Sequence, residues 1–255
     1  MLNSLYSHAQ EEGADVVKGE IGIFEEGYED REDILTNMNL RKVDDSYEAP
    51  VKDRRIRDNN FFRWSLMEWE GIYSRSFLEQ YGIRCFEESS PDNRNISLRF
   101  LAEALNENMY MSQGIVYRRR KKRFASVDDR RKIYEMCAEY YYIKKELNKY
   151  PDKWRMLKNA FWQSYFQSCL ESYVRLTSAL RPQLSSRMSD DLNKAMKNKE
   201  FDPGLMGEYN KAALEVLLRS PEEFDAFREN EEWEEQLKKA EILIRLDNFK
   251  GSLQV

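Results

Sequence analysis

Six consecutive cations, Arg118, Arg119, Arg120, Lys121, Lys122 and Arg123, form the densest chemistry-bearing run in this 255-residue chain. Tyr117 precedes them, and Arg130, Arg131 and Lys132 follow a few residues later. Cations at this density suit phosphate oxygens or protein carboxylates, and each one placed on a nucleic acid releases a condensed counterion. Stacking partners for bases are abundant nearby, because nine of the fifteen tyrosines lie between Tyr110 and Tyr173. Most of those tyrosines recur at helical spacing, however, and read as core. Pairing of the run with protein acids therefore ranks ahead of nucleic-acid contact, and an idle solvated loop ranks third.

Other chemistry is scarce. The single histidine, His8, lies near the N-terminus, so no core histidine is available for a catalytic triad or for a metal set that needs imidazole. Di-iron bundles require a Glu-x-x-His motif on each of two helices, which the chain lacks. Neither glycine-rich nucleotide cradle occurs. Cys85, Cys137 and Cys169 are widely spaced, without zinc-ligand spacing, and read as buried thiols of a reducing, intracellular compartment, cytoplasmic or inside a virion or similar assembly. Two carboxylate pairs, Glu103 with Glu107 and Glu231 with Glu235, have the four-residue spacing that can hold magnesium on one helical face. In a chain with 46 acids such pairs arise by chance. Glu68 and Glu70 beside Trp69 read as surface residues. No catalytic residue, metal ligand or cofactor is assigned.

Charge is segregated along the chain. Residues 1–50 carry a net charge of −9, residues 51–199 of +11 and residues 200–255 of −7. A basic middle between acidic ends binds a polyanion, its own ends or an acidic neighbour. The alternating charges of Lys52-Asp53-Arg54-Arg55-Ile56-Arg57 read as a solvated hinge.

The elements that must position these groups are mainly helical. Only 10 glycines and 6 prolines occur, too few for a fold built on many tight turns, and no apolar run approaches the ~18–20 residues of a membrane span. The N-terminus has neither the basic start nor the long apolar segment of a secretory signal. Residues 1–57 show no sustained period and hold four of the glycines, so they read as an acidic, extended arm. Its small apolar clusters, Ile21, Ile23 and Phe24, then Ile34 and Leu35, are the residues expected to dock. The arm is expected to lie over a basic surface, and its removal to spare folding.

From residue 58 to about 250 the periodicity predicts a helical domain with almost no strand, its basic part spanning 58–199 and its acidic helices 200–250. Helices are expected over about 58–81, ended by Gly82; from Asn95 or Ser97 to near Gly114; and over 127–150, capped by Ser126 with Asp129 three residues on. A central helix is expected over 152–180, with Trp154, Leu157, Phe161, Tyr165, Cys169 and Tyr173 on its buried side. Shorter helices follow over 185–197 and 205–218. Ser220-Pro221-Glu222-Glu223 then opens a last one toward residue 248, with a capping serine and a proline in the first turn.

The fold class expected is therefore all-α: an irregular bundle of about six helices with an extended N-terminal arm. The function expected is non-enzymatic, a structural or adaptor component of a multiprotein assembly of the connector or scaffold type, virion assemblies included. Its expected partners are other protein subunits, in an oligomer or hetero-assembly. The alternative is a nucleic-acid-binding accessory protein using the basic cluster 118–132. A carboxylate- and magnesium-dependent helical hydrolase ranks last.

Overall fold

Leu2, Leu5 and Ala9 recur at helical spacing, and the computed structural model folds Leu2–Glu12 into a helix, α1. Gly13 ends it with a φ of 60°, and the Ala14 N–H returns to the Ala9 carbonyl at 3.0 Å. That left-handed position costs glycine nothing and most other residues about 1 kcal/mol or more. The structure describes residues 2–24, 32–35, 50–51, 71–88, 96–120, 128–206 and 208–229. It divides into two compact units, Met1–Arg123 with Ala138–Leu157, and Phe124–Cys137 with Lys158–Val255. Most of the described residues outside loops are helical, and no described helix is long and apolar enough to cross a membrane.

In the first unit a mixed sheet is built around β1 (Val16–Phe24) and β5 (Met109–Arg120), which run parallel. β4 (Gly71–Tyr73) and β2 (Glu32–Leu35) pair antiparallel with successive halves of β1, and β3 (Pro50–Val51) pairs with the start of β5. The β1–β5 register slips twice, between Lys18 and Glu20 and between Glu20 and Ile21, and the surplus residues all fall on β5 around Gly114. Such bulges bend a strand and raise its twist. α1 packs on this sheet, where Leu5, Ala14, Val17 and Tyr110 form one buried cluster with Ala9 and Ile72 against it. His8 stacks on Tyr110 with ring centroids 5.0 Å apart. The Asn108 amide donates to the carbonyls of Glu12 and Gly13 at 3.1 and 2.9 Å, satisfying the end of α1.

Two short helices and the stretch Ala138–Leu157, which buries Tyr140, Ile143, Leu147 and Leu157, add to this unit's described core. α2 (Arg75–Gln80) is capped by Ser74, whose hydroxyl accepts from the Phe77 N–H at 3.3 Å, and ends at Gly82 with a φ of 62°. α3 (Ile96–Leu105) buries Phe100, Leu101, Ala102, Ala104 and Leu105. The Phe100 ring meets Tyr140 edge-on at 6.1 Å.

Several expectations are corrected here. Within the expected arm, residues 2–24 are a helix and a central strand, because β1 finds partners far away in sequence and α1 covers them. The helix expected over 58–81 is confined to Arg75–Gln80 among the described residues, and Gly71–Tyr73 is strand. Gly71 permits that pairing: a Cβ there would sit 2.3 Å from the Val17 carbonyl oxygen. The helix expected to reach Gly114 stops at Leu105, and Met109–Arg120 is strand, so strand content is well above the near-absence expected. Periodicity at the start of a segment did not reveal that its end pairs with β1.

The second unit follows the sequence more closely. Arg130–Lys132 is a 3₁₀ turn capped by Asp129. α4 (Glu135–Leu147) and α5 (Pro151–Arg175) both cross the division between the units. Within the second unit α5 buries Phe161, Trp162, Tyr165, Phe166, Cys169, Leu170 and Tyr173. Apolar residues that wrap more than half of a helix belong at the centre of a bundle. Trp154, expected in the core, is instead half-buried, with the Lys144 ammonium 5.2 Å from its ring centroid. α6 (Arg181–Lys197) starts four residues before the expected Ser185, because Pro182 is tolerated in a first turn. α7 (Glu208–Arg219) and α8 (Pro221–Glu229) pack on α6 and on each other. The cap expected at Ser220 is present, its hydroxyl accepting from the Glu223 N–H at 3.1 Å. Tyr173 ties α5 to α8: its hydroxyl donates to Asp225 Oδ1 at 2.8 Å, and Ser185 donates to Oδ2 of the same carboxylate at 3.1 Å. Burial, with the Asp225 carboxylate beside it, pushes the Tyr173 hydroxyl well above the ordinary tyrosine pKa.

Leu157 has no exposed surface. Leu157→Ala is expected to cost about 2–5 kcal/mol, the transfer and cavity terms of a buried large-to-small change. Chemical denaturation checks this, and an unchanged midpoint would show that Leu157 is not held in the core.

Candidate interaction site

Parallel pairing brings the first half of the cation run into the sheet. In register, Tyr117 lies opposite Ile21, Arg118 opposite Gly22, Arg119 opposite Ile23 and Arg120 opposite Phe24. On the other edge of β1, Leu35 faces Ile21 and Ile34 faces Gly22. Ile21, Ile23, Phe24, Ile34 and Leu35, the residues expected to dock, thus occupy two adjacent strands beside the strand that carries Arg118, Arg119 and Arg120. Extended backbones pair here because each strand's N–H and C=O groups need partners, and the β-branched residues at 21, 23 and 34 favour that conformation. The acidic N-terminal sequence and the basic middle therefore meet through main-chain pairing.

The remaining cations of the expected cluster are not part of that arrangement. Lys121, Lys122 and Arg123 lie outside the described residues, as does Ser126. Arg130, Arg131 and Lys132 belong to the second unit. Asp129 accepts from the Arg131 backbone N–H and from its Nε, each at 3.0 Å, and from Nη2 at 2.9 Å. Those hydrogen bonds hold the Asp129 carboxyl below the usual carboxylate range. Arg131 is thus engaged by a local acid, and Arg130 is exposed. The Lys52–Arg57 hinge residues, Glu68, Trp69, Glu70 and the Glu231–Glu235 pair also fall outside the described residues.

Glu103 and Glu107 do not share a helix, because α3 ends at Leu105. Glu103 is fully buried against Lys18 of β1, itself 1% exposed, while Glu107 faces solvent. This buried ion pair between strand and helix is what sequence reading missed. A signal existed: Lys18 is the sole Lys or Arg in the first thirty residues, set beside two valines. Buried charges persist when paired, and removing one partner of such a pair leaves a costly desolvated charge. Among the described residues no cluster of three or more His, Cys, Asp or Glu side chains is placed to hold a metal ion. No family model matches the chain, and no curated protein matches its sequence.

Proposed function

We propose that this protein is a non-enzymatic structural or adaptor component of a multiprotein assembly, of the connector or scaffold type. The observation that supports this most is the β1–β5 pairing, which sets Arg118–Arg120 on a paired strand whose sequence continues into Lys121, Lys122 and Arg123. Cations carried by a sheet, with acidic segments at both chain ends, suit a subunit that takes up acidic neighbours. In this reading the run 118–123 receives carboxylates of another subunit. Long-range attraction would steer the encounter and weaken beyond about 8 Å at physiological ionic strength.

A second reading, a nucleic-acid-binding accessory protein, is supported by the same run, because consecutive cations on an extended backbone can follow a phosphate chain. Size-exclusion chromatography with light scattering distinguishes the two. The adaptor reading expects a mass above that of one chain, unchanged when a single-stranded oligonucleotide is added. A single-chain mass that rises only with the oligonucleotide would overturn it in favour of the second.

A further inference from the structure

The two sides of β1 carry opposite charge at the same level. Phe24 pairs with Glu32 on β2 and with Arg120 on β5, and Ile23 pairs with Asp33 and with Arg119. Gly22 likewise stands between Ile34 and Arg118, and Ile21 between Leu35 and Tyr117. At this end of the sheet the strand order is β2-β1-β5, so an acidic strand forms one edge and a basic strand the other. Among the described residues no strand pairs with the outer edge of β2, and none with the outer edge of β5 over Tyr117–Arg120. Farther back, β3 takes up that same edge of β5 antiparallel, at Met109 and Tyr110. An open edge is a row of backbone donors and acceptors that another strand can satisfy.

The geometry points to a second copy of this chain as the occupant: the β2 edge of one copy adds antiparallel to the Tyr117–Arg120 edge of β5 on the next. The inference rests on the adaptor reading, whose acidic neighbour it identifies as the chain itself. Strand polarity permits it directly. β2 runs antiparallel to β1 and β5 parallel to it, so β2 of a neighbour in the same orientation meets β5 antiparallel. At the level that β1 sets in both copies, Glu32 of one faces Arg120 of the next, Asp33 faces Arg119, Ile34 faces Arg118 and Leu35 faces Tyr117. Opposite charges directly across a ladder attract, and like charges repel. Two β5 edges paired antiparallel over the same residues would set Arg118 against Arg119. Main-chain hydrogen bonds then supply affinity and the facing charges supply the choice of edge. The contact is heterologous: each copy gives one edge and receives on the other, so copies add until they close into a ring or extend into a filament.

Charge reversal on the full-length chain tests it, read by sedimentation velocity over a concentration series. One variant carries Glu32→Lys with Asp33→Lys, the other Arg119→Glu with Arg120→Glu, and each is checked for wild-type circular dichroism. The wild type is expected to associate, and each variant alone to associate about tenfold more weakly or worse, because two facing pairs turn from attraction to repulsion. An equimolar mixture of the two variants is expected to recover the association, since each then meets an edge of opposite charge on the other. Variants that associate as the wild type does would overturn the edge pairing, as would a mixture that recovers nothing; a wild-type mass above one chain would then still support the adaptor reading. A wild type that stays a single chain at every concentration would overturn the edge pairing too, and a mass that rises only with a single-stranded oligonucleotide would overturn both. If a variant fails to fold, hydrogen exchange on the wild type decides. Amides of Glu32–Leu35 and Tyr117–Arg120 should exchange more slowly in concentrated than in dilute protein, while those of Val16, Val17 and Lys18 stay unchanged. Equal exchange at both concentrations over the two edges would overturn the pairing.

Discussion

Glu103→Leu is expected to lower stability by about 3–5 kcal/mol, because it breaks a buried ion pair by removing the carboxylate that the Lys18 ammonium meets in the core. Lys18 and Glu103 are 1% and 0% exposed, so neither can turn to water without moving β1 or α3. Lys18→Met alone should cost a similar amount, for the mirror reason. The double variant, Lys18→Met with Glu103→Leu, is expected to recover most of that loss. Two desolvated charges gain little over well-packed apolar groups of similar volume. Denaturant titration of the four proteins makes a double-mutant cycle whose coupling term is large and favourable. Two single losses that simply add in the double variant would show that the two groups do not hold each other.

Deletion of residues 1–50 is expected to unfold the first unit, not to spare it. The segment includes β1, which pairs with β2, β4 and β5, and it contributes Leu5, Val16 and Val17, all fully buried. Each such side chain contributes about 1.5–3 kcal/mol on burial. A domain whose whole stability is about 5–15 kcal/mol does not survive that loss together with its central strand. Hydrogen exchange checks it: amides of Ile96–Leu105 and Met109–Arg120 should exchange freely in the truncated chain, while the α6–α8 amides stay protected. Unchanged protection over Met109–Arg120 would mean that β5 does not depend on β1.

What the sequence alone determined is local. Helical stretches were legible where their signals act within a few residues: the apolar stripe through Leu157, Phe161, Tyr165 and Cys169, the Ser220 cap and the left-handed stop at Gly82. Each of these works through i to i+4 spacing or one turn of backbone. The mostly helical class followed from them. The sheet was not legible, because β1 and β5 are about ninety residues apart and a strand has no local signature of its partner. Val16-Val17 and Ile21-Gly22-Ile23 are too short to show a period, and Gly114 reads as a helix stop when it in fact lies in the bulged part of β5. The cation run was plain in the sequence, yet only tertiary pairing decided that Arg118–Arg120 belong to a strand and that Arg130–Lys132 sit in another unit. The buried pair Lys18–Glu103 is of the same kind. Its members are ordinary residues at unremarkable spacings, and their chemistry arises only when folding removes water from around them and sets them within a hydrogen bond of one another.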